Sequence, residues 1–159
     1  MSNTMAQCLS RTTAATFEEL ALLFPEVDLT TEQHAQPLDV AVSVEFRGPM
    51  TGRLVLRASE CVLPAIAANM LGEDEGKHPP LQRDALGELA NVICGNVLPA
   101  IAGVEAVFHL AAPQVHRTPV VVARDEAAPQ AHVQFGVESG RVETALYVFS
   151  GAPAVAIGA

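Results

Sequence analysis

Residues 84–99 read DALGELANVICGNVLP, and their periodicity predicts the central helix of the domain. At about 100° per residue its apolar side chains fall on one side, which is the pattern of a helix that packs against a core. The predicted helix covers about residues 81–101 and ends near Gly103. Its predicted buried stripe consists of Leu86, Leu89, Ala90, Ile93, Val97 and Ala100.

The opposite face of this helix carries Asp84, Glu88, Asn91 and Gly95. A polar face is expected on any surface helix, so plain solvation is one interpretation. The face nevertheless lacks the Lys and Arg that usually balance carboxylates on a solvated helix. Gly87 and Gly95 also lie inside the helix, where each glycine costs about 1 kcal/mol relative to alanine. Close packing on a neighbouring helix and the approach of a partner's backbone would each explain these glycines.

The elements before this helix are predicted from their periodicity. Residues 5–24 have helical spacing and are expected to stop at Pro25. Apolar and polar residues alternate in 40–47 and 50–58, which predicts a hairpin. Ser59 is expected to cap a helix that runs to about Leu71.

The part after the helix is predicted to be rich in strands. The candidate strands are 105–110, 120–124, 131–137 and 142–149, with a turn at Ser139-Gly140 and a weakly ordered tail over 150–159. Helices and strands do not alternate strictly. The sequence therefore predicts one α+β domain over 1–159, with helices packed on one face of a mostly antiparallel sheet.

Composition excludes several classes of function. The formal net charge is −9, which disfavours nucleic acid and anionic membrane surfaces as ligands. No signal peptide and no apolar run of membrane-spanning length is recognised. Cys8, Cys61 and Cys94 are far apart in sequence, which indicates reduced thiols in the cytoplasm rather than a disulfide or zinc site.

The spacing Asp84-x3-Glu88-x2-Asn91, followed by Pro113 after 21 further residues, resembles the signature of the CheC/CheX/FliY chemotaxis phosphatases of bacteria. The layout most resembles a CheX-like member, because one central motif helix follows a Met-Leu-Gly-Glu stretch at 70–73. The resemblance implies a CheX/CheC-like fold. The first helix offers no Glu and Asn at the motif spacing, so one active site is expected.

The resemblance also implies a function in two-component signalling. The family hydrolyses the aspartyl phosphate of a CheY-like response regulator, so this chain is expected to be a phosphatase whose partner is that phosphorylated regulator. Glu88 and Asn91 would be the catalytic residues: Asn91 would orient the attacking water, and Glu88 would pair with the regulator's active-site lysine. Magnesium would be held by the regulator, so no cofactor and no metal site are expected on this chain. The other expected site residues are Asp84, Gly87 and Gly95, which would dock the partner, and Pro113, which would support the motif.

Other functions remain open on the sequence. A non-catalytic module with the same helix could dock a response regulator or a flagellar switch component, although such a binder has no need of a water-positioning amide at Asn91. Exposed strand edges would also suit a structural oligomerisation domain, and a homodimer would be compatible with phosphatase activity. An unrelated α+β enzyme is the remaining alternative.

Overall fold

The computed structural model describes residues 2–117 and 128–151. Short 3-10 segments at Glu60–Val62 and Glu73–Lys77 precede the third and fourth helices. The helices are α1 (Ser2–Leu20), α2 (Thr31–Ala35), α3 (Leu63–Leu71) and α4 (Pro79–Ala102). The strands are β1 (Val40–Arg47), β2 (Met50–Ala58), β3 (His109–Leu110), β4 (Gln114–Arg117), β5 (Ala131–Val137) and β6 (Gly140–Gly151).

Within the described residues, all the strands join one antiparallel sheet. Its order is β3-β1-β2-β6-β5, and β4 pairs with the same strand β1 as β3 does, further along it. The β1–β2 register places Val44 opposite Leu54 and Val42 opposite Leu56. Because successive side chains point to opposite faces, these four residues lie on the face that carries the main core. The predicted α+β fold with a mostly antiparallel sheet is confirmed.

The helix α4 is the centre of the core. It packs on α1 and α3 and on strands β1 and β2. The predicted stripe is buried except for Ala100, which is exposed, so that part of the prediction is wrong. Burial extends beyond the stripe because helices and sheet enclose α4 on several sides, and its further buried residues are Ala85, Gly87, Cys94, Leu98, Ile101 and Ala102.

The bounds of α4 follow from its terminal residues. It begins at Pro79, two residues earlier than predicted, because proline is well tolerated in the first turn of a helix. It ends before Gly103, whose φ of 102° favours glycine, as predicted. The helix has the length and hydropathy of a membrane span, which was not expected, but 61% of that apolar stretch is buried inside the fold. The interior of the domain therefore accounts for its hydropathy.

The N-terminal predictions need three corrections. The helix α1 ends at Leu20 rather than near Phe24, because Leu22 adopts a left-handed φ of 55° and turns the chain. The polar segment 29–38, which is expected to be a loop from its sequence, contains α2, whose N-terminus carries a capping box between Thr30 and Gln33. Ser59 does not cap a helix: its hydroxyl accepts a hydrogen bond from the backbone N–H of Arg141 (3.1 Å).

The C-terminal strands also differ from prediction in part. Only His109–Leu110 of the run 105–110 is a strand, and β4 was not predicted. The β5–β6 turn lies at Glu138-Ser139, one residue earlier than expected, with Glu138 at a φ of 52°. Strand β6 continues to Gly151, so the first two residues of the supposed tail belong to the sheet. The predicted strand 120–124 and the rest of the tail, 152–159, lie outside the described residues.

Candidate functional site

The polar face of α4 lies on a helix that the core holds in place. Asp84 and Glu88 are exposed and Asn91 is half-buried. Within the described ranges, the side chains of these three residues have no hydrogen-bond or ion-pair partner. Residues 84, 88, 91 and 95 follow at spacings of three or four, which places them on one side of the helix over about 16 Å. The structure therefore brings the predicted motif residues together with their polar groups available to another molecule.

Gly87 is buried and faces Pro113, which stands just before β4. A Cβ built at position 87 would lie 3.5 Å from the Cβ and 3.9 Å from the Cγ of Pro113. The missing side chain thus lets the loop carrying Pro113 approach α4 directly. This close approach is to a loop of the same chain, whereas the sequence offered a neighbouring helix or a partner. The docking role expected for Gly87 stays a prediction.

The contact between Gly87 and Pro113 forms one side of a recess beside Glu88. Its volume is about 310 Å³. Arg83 contributes a cation that the sequence analysis did not single out, although it directly precedes Asp84. Val115 was missed because the strand β4 was missed. The full lining is Arg83, Asp84, Gly87, Glu88, Pro113 and Val115.

We call the side of α4 that carries Asp84, Glu88, Asn91 and Gly95 the motif face. Gly95 lies at its C-terminal end, and its surroundings differ from those of Gly87. It is exposed, and a Cβ built there would have no neighbour within 4 Å. Pro99 stands four residues later in the same helix and has no N–H. The carbonyl of Gly95 therefore lacks the donor that a regular helix would supply to it.

An apolar groove begins at Gly95 and runs to the loop between α4 and β3. Its volume is about 250 Å³. We name it the Gly95 groove, and it is lined by Gly95, Leu98, Pro99, Ala106, Phe108 and Leu110. The sequence analysis included Gly95 in the site but none of the other lining residues, because they meet only in the folded chain.

Cys94 lies on the buried side of the motif helix, away from the polar face. Burial raises the pKa of its thiol to about 12. A thiol with that pKa is protonated at neutral pH, so Cys94 is not available as a nucleophile or a metal ligand.

Among the residues that the structure describes, no group of three or more His, Cys, Asp and Glu side chains is placed to hold a metal ion. The functional groups gathered on α4 are two carboxylates, an amide and a backbone carbonyl. Such groups can accept hydrogen bonds, and the amide can donate as well. They are suited to orienting a water or pairing with a cation, and they offer no nucleophile of their own.

The sequence and the fold are similar to those of known proteins. The family model described as "Chemotaxis phosphatase CheX" matches residues 40–136, which include α4 and Pro113. No curated protein matches the sequence. Among solved structures, CheX from Vibrio vulnificus is 18% identical with a TM-score of 0.73, covering 91% of this chain and 96% of that one. CheX from Desulfovibrio desulfuricans is 18% identical with a TM-score of 0.69, at 91% and 99% coverage.

A third solved structure is a complex of CheX with CheY, BeF3 and magnesium from Borrelia burgdorferi. Its identity to this chain is 14% and its TM-score is 0.62, with 91% of this chain and 97% of that chain covered. At such identities the structural likeness establishes the shared fold. The family-model match spans more than half of the sequence, and the chain belongs to the CheX family of chemotaxis phosphatases.

Proposed function

We propose that this protein hydrolyses the aspartyl phosphate of a CheY-like response regulator, and that it does so in the cytoplasm. The observation that carries the proposal is the placement of Glu88 and Asn91 on one face of a helix that packs in the core, with no partner for either side chain among the described residues. Polar groups held in place by a core are suited to catalysis by positioning. Membership of the CheX family and the solved complex of a relative with CheY support the same partner class.

The chemistry demands little from the catalyst. An aspartyl phosphate is an acyl phosphate, and its carboxylate leaves readily with the bonding electron pair. The water oxygen forms a new P–O bond while the acyl P–O bond breaks, and the proton of the water passes to the released phosphate or to solvent. Because phosphoryl transfer has a loose transition state, placing the water in line is the main requirement.

Asn91 is the residue that we assign to the water. A neutral amide can accept a hydrogen bond from the water and donate one to a phosphoryl oxygen. Its position in the middle of α4 lets it project into the active site of a partner while the helix itself stays fixed. Asn91 therefore acts as a catalytic residue through orientation and does not remove a proton.

Glu88 and Asp84 supply the negative charge of the motif face. Glu88 lies one residue short of a full turn before Asn91, and we assign it to an ion pair with the active-site lysine of the regulator. Asp84 lies one turn further from Asn91 and would contribute to attraction over a longer range. Magnesium belongs to the regulator in this scheme, and a homodimer of this chain would leave the scheme unchanged.

The test is the decay of phosphate on a phosphorylated CheY-like regulator at fixed magnesium, with and without this protein. Faster decay that disappears in Asn91→Ala is the expected result. Unchanged decay together with measurable binding would favour the alternative of a non-catalytic docking module. Unchanged decay without binding would refute the assigned partner class.

A further inference from the structure

The motif face is too small to form a specific interface by itself. It extends about 16 Å along α4 and presents four residues, one of which is a glycine. A specific protein–protein interface buries roughly 800 Å² on each partner, and even a weak one buries about half of that or more. A partner that reaches Asn91 must therefore rest on surface beside the motif face as well.

The surface next to Gly95 is apolar and has two features that suit a protein partner. Leu98, Phe108 and Leu110 line the groove. In the adjoining loop, Val107 is 68% exposed, so the apolar surface continues beyond the groove on that side. The groove volume of about 250 Å³ is below the usual range of about 300–1,000 Å³ for small-molecule pockets. Its size fits a side chain of a protein better than a free ligand.

The backbone at Gly95 supplies a polar group at the mouth of this groove. Residue 95 is exposed, and its carbonyl receives no hydrogen bond from residue 99 because proline has no N–H. Helical backbone carbonyls are normally satisfied within the helix, so a carbonyl without its regular donor is a candidate acceptor for a partner's N–H. Asn91 lies one turn away, about 6 Å along the axis.

We propose that the Gly95 groove is a second docking subsite for the phosphorylated response regulator. A nonpolar side chain of the regulator fills the groove, and a nearby backbone N–H of the regulator donates a hydrogen bond to the Gly95 carbonyl. The subsite deepens the function proposed above and rests on it. It accounts for an apolar groove that adjoins the polar motif and for a helical carbonyl left without its donor.

The experiment measures the dissociation constant of this protein for a CheY-like regulator loaded with beryllofluoride and magnesium, together with kcat and KM for dephosphorylation. Ala106→Asp places a charge inside the groove and is expected to weaken binding at least tenfold. Val104→Asp adds the same charge to the same loop outside the groove lining and serves as the matched control, with a change below about threefold. In both variants kcat at saturating regulator should stay within about twofold of wild type, because Asn91 is untouched.

Pro99→Val tests the carbonyl while an apolar side chain is kept at this position of the groove lining. Valine retains apolar bulk and supplies an N–H that completes the helical hydrogen bond to Gly95. Loss of the external hydrogen bond is expected to weaken binding about two- to tenfold while thermal stability rises. A merely structural role of Pro99 would not reduce affinity in a more stable protein.

The outcomes separate this subsite from the proposed function. If the wild-type protein accelerates dephosphorylation while Ala106→Asp and Pro99→Val bind as tightly as wild type, the groove proposal is wrong and the phosphatase proposal stands. Equal weakening by Ala106→Asp and Val104→Asp would mean general charge repulsion, and it would also overturn the groove. Failure of the wild-type protein to bind the regulator would overturn both proposals, whereas binding without acceleration would overturn the phosphatase proposal alone.

Discussion

Pro113 packs on the bare backbone of Gly87, with 3.5 Å between the proline Cβ and the place where a Cβ of residue 87 would stand. The two residues are far apart in sequence, and each belongs to the region around Glu88. The contact pins the loop before β4 to α4 and closes one side of the recess next to Glu88. Pro113, which follows the motif in sequence, is thus in direct contact with the motif helix.

The effect of a substitution at Gly87 on the melting temperature should depend on the size of the new side chain. In Gly87→Ala the added Cβ meets Pro113 at ordinary contact distance, and the helix loses an interior glycine that costs up to about 1 kcal/mol. We expect the melting temperature to rise by roughly 2–4 °C. Gly87→Val adds two further methyl groups that displace Pro113, so its melting temperature should fall below that of Gly87→Ala. Equal melting temperatures for the two variants would mean that the contact is loose, and thermal unfolding followed by circular dichroism measures both.

The amide of Asn91 should matter for turnover and not for stability. Asn91→Ala removes the group that orients the water, and we expect dephosphorylation to slow by about 100-fold or more. The melting temperature should change little, because the side chain has no partner among the described residues. Rates and thermal unfolding of the same preparation test both statements.

Asn96 provides the matched control for this variant. It is an exposed asparagine on the same helix, and five residues at 100° each turn it about 140° away from Asn91. Asn96→Ala should leave the rate of dephosphorylation unchanged. If it slows the reaction as much as Asn91→Ala does, the amide of Asn91 has no special role.

Much of the fold follows from local pattern, and the parts that do not are set by distant contacts. Period 3.6 in residues 84–99 predicts α4, and alternation on either side of Gly48-Pro49 predicts the hairpin. The capping box at Thr30 and Gln33 was also readable and would have revealed α2. Strand β4, in contrast, has four residues and depends on pairing with β1, so its own sequence carries little signal.

The candidate site also has one part that local spacing predicts and another that depends on the folded chain. Helical spacing alone groups Asp84, Glu88, Asn91 and Gly95. The recess near Glu88 and the Gly95 groove depend on loops that return to α4 only after folding, so spacing could not predict them. The two glycines also look alike in sequence, yet Gly87 is covered by Pro113 and Gly95 is open. That distinction comes from tertiary structure.

The carboxylate of Glu88 should act mainly on binding. Glu88→Gln keeps the size of the side chain and removes its charge, so we expect the dissociation constant for a beryllofluoride-loaded regulator to rise roughly tenfold, or about 1.4 kcal/mol. At saturating regulator the rate should stay close to that of the wild-type protein. Glu105→Gln removes an equal charge from an exposed position after α4 and is the control. A loss of rate at saturation with unchanged affinity would instead assign Glu88 to the chemical step.

Cys94 should make the protein sensitive to alkaline pH. Burial raises the pKa of its thiol from an ordinary 9.0 to about 12 in the folded state. Below pH 9 both states hold the proton and the free energy of unfolding is unaffected. Between pH 9 and 12 the unfolded chain releases the proton while the folded chain retains it, so the free energy of unfolding falls by up to about 1.4 kcal/mol per pH unit.

Urea unfolding of the wild-type protein and of Cys94→Ala at pH 8, 9.5 and 10.5 measures this effect, since all other titrating groups are common to both. The stability advantage of the wild-type protein should shrink as the pH rises, and an advantage that is constant with pH would show that the thiol ionises equally in the two states.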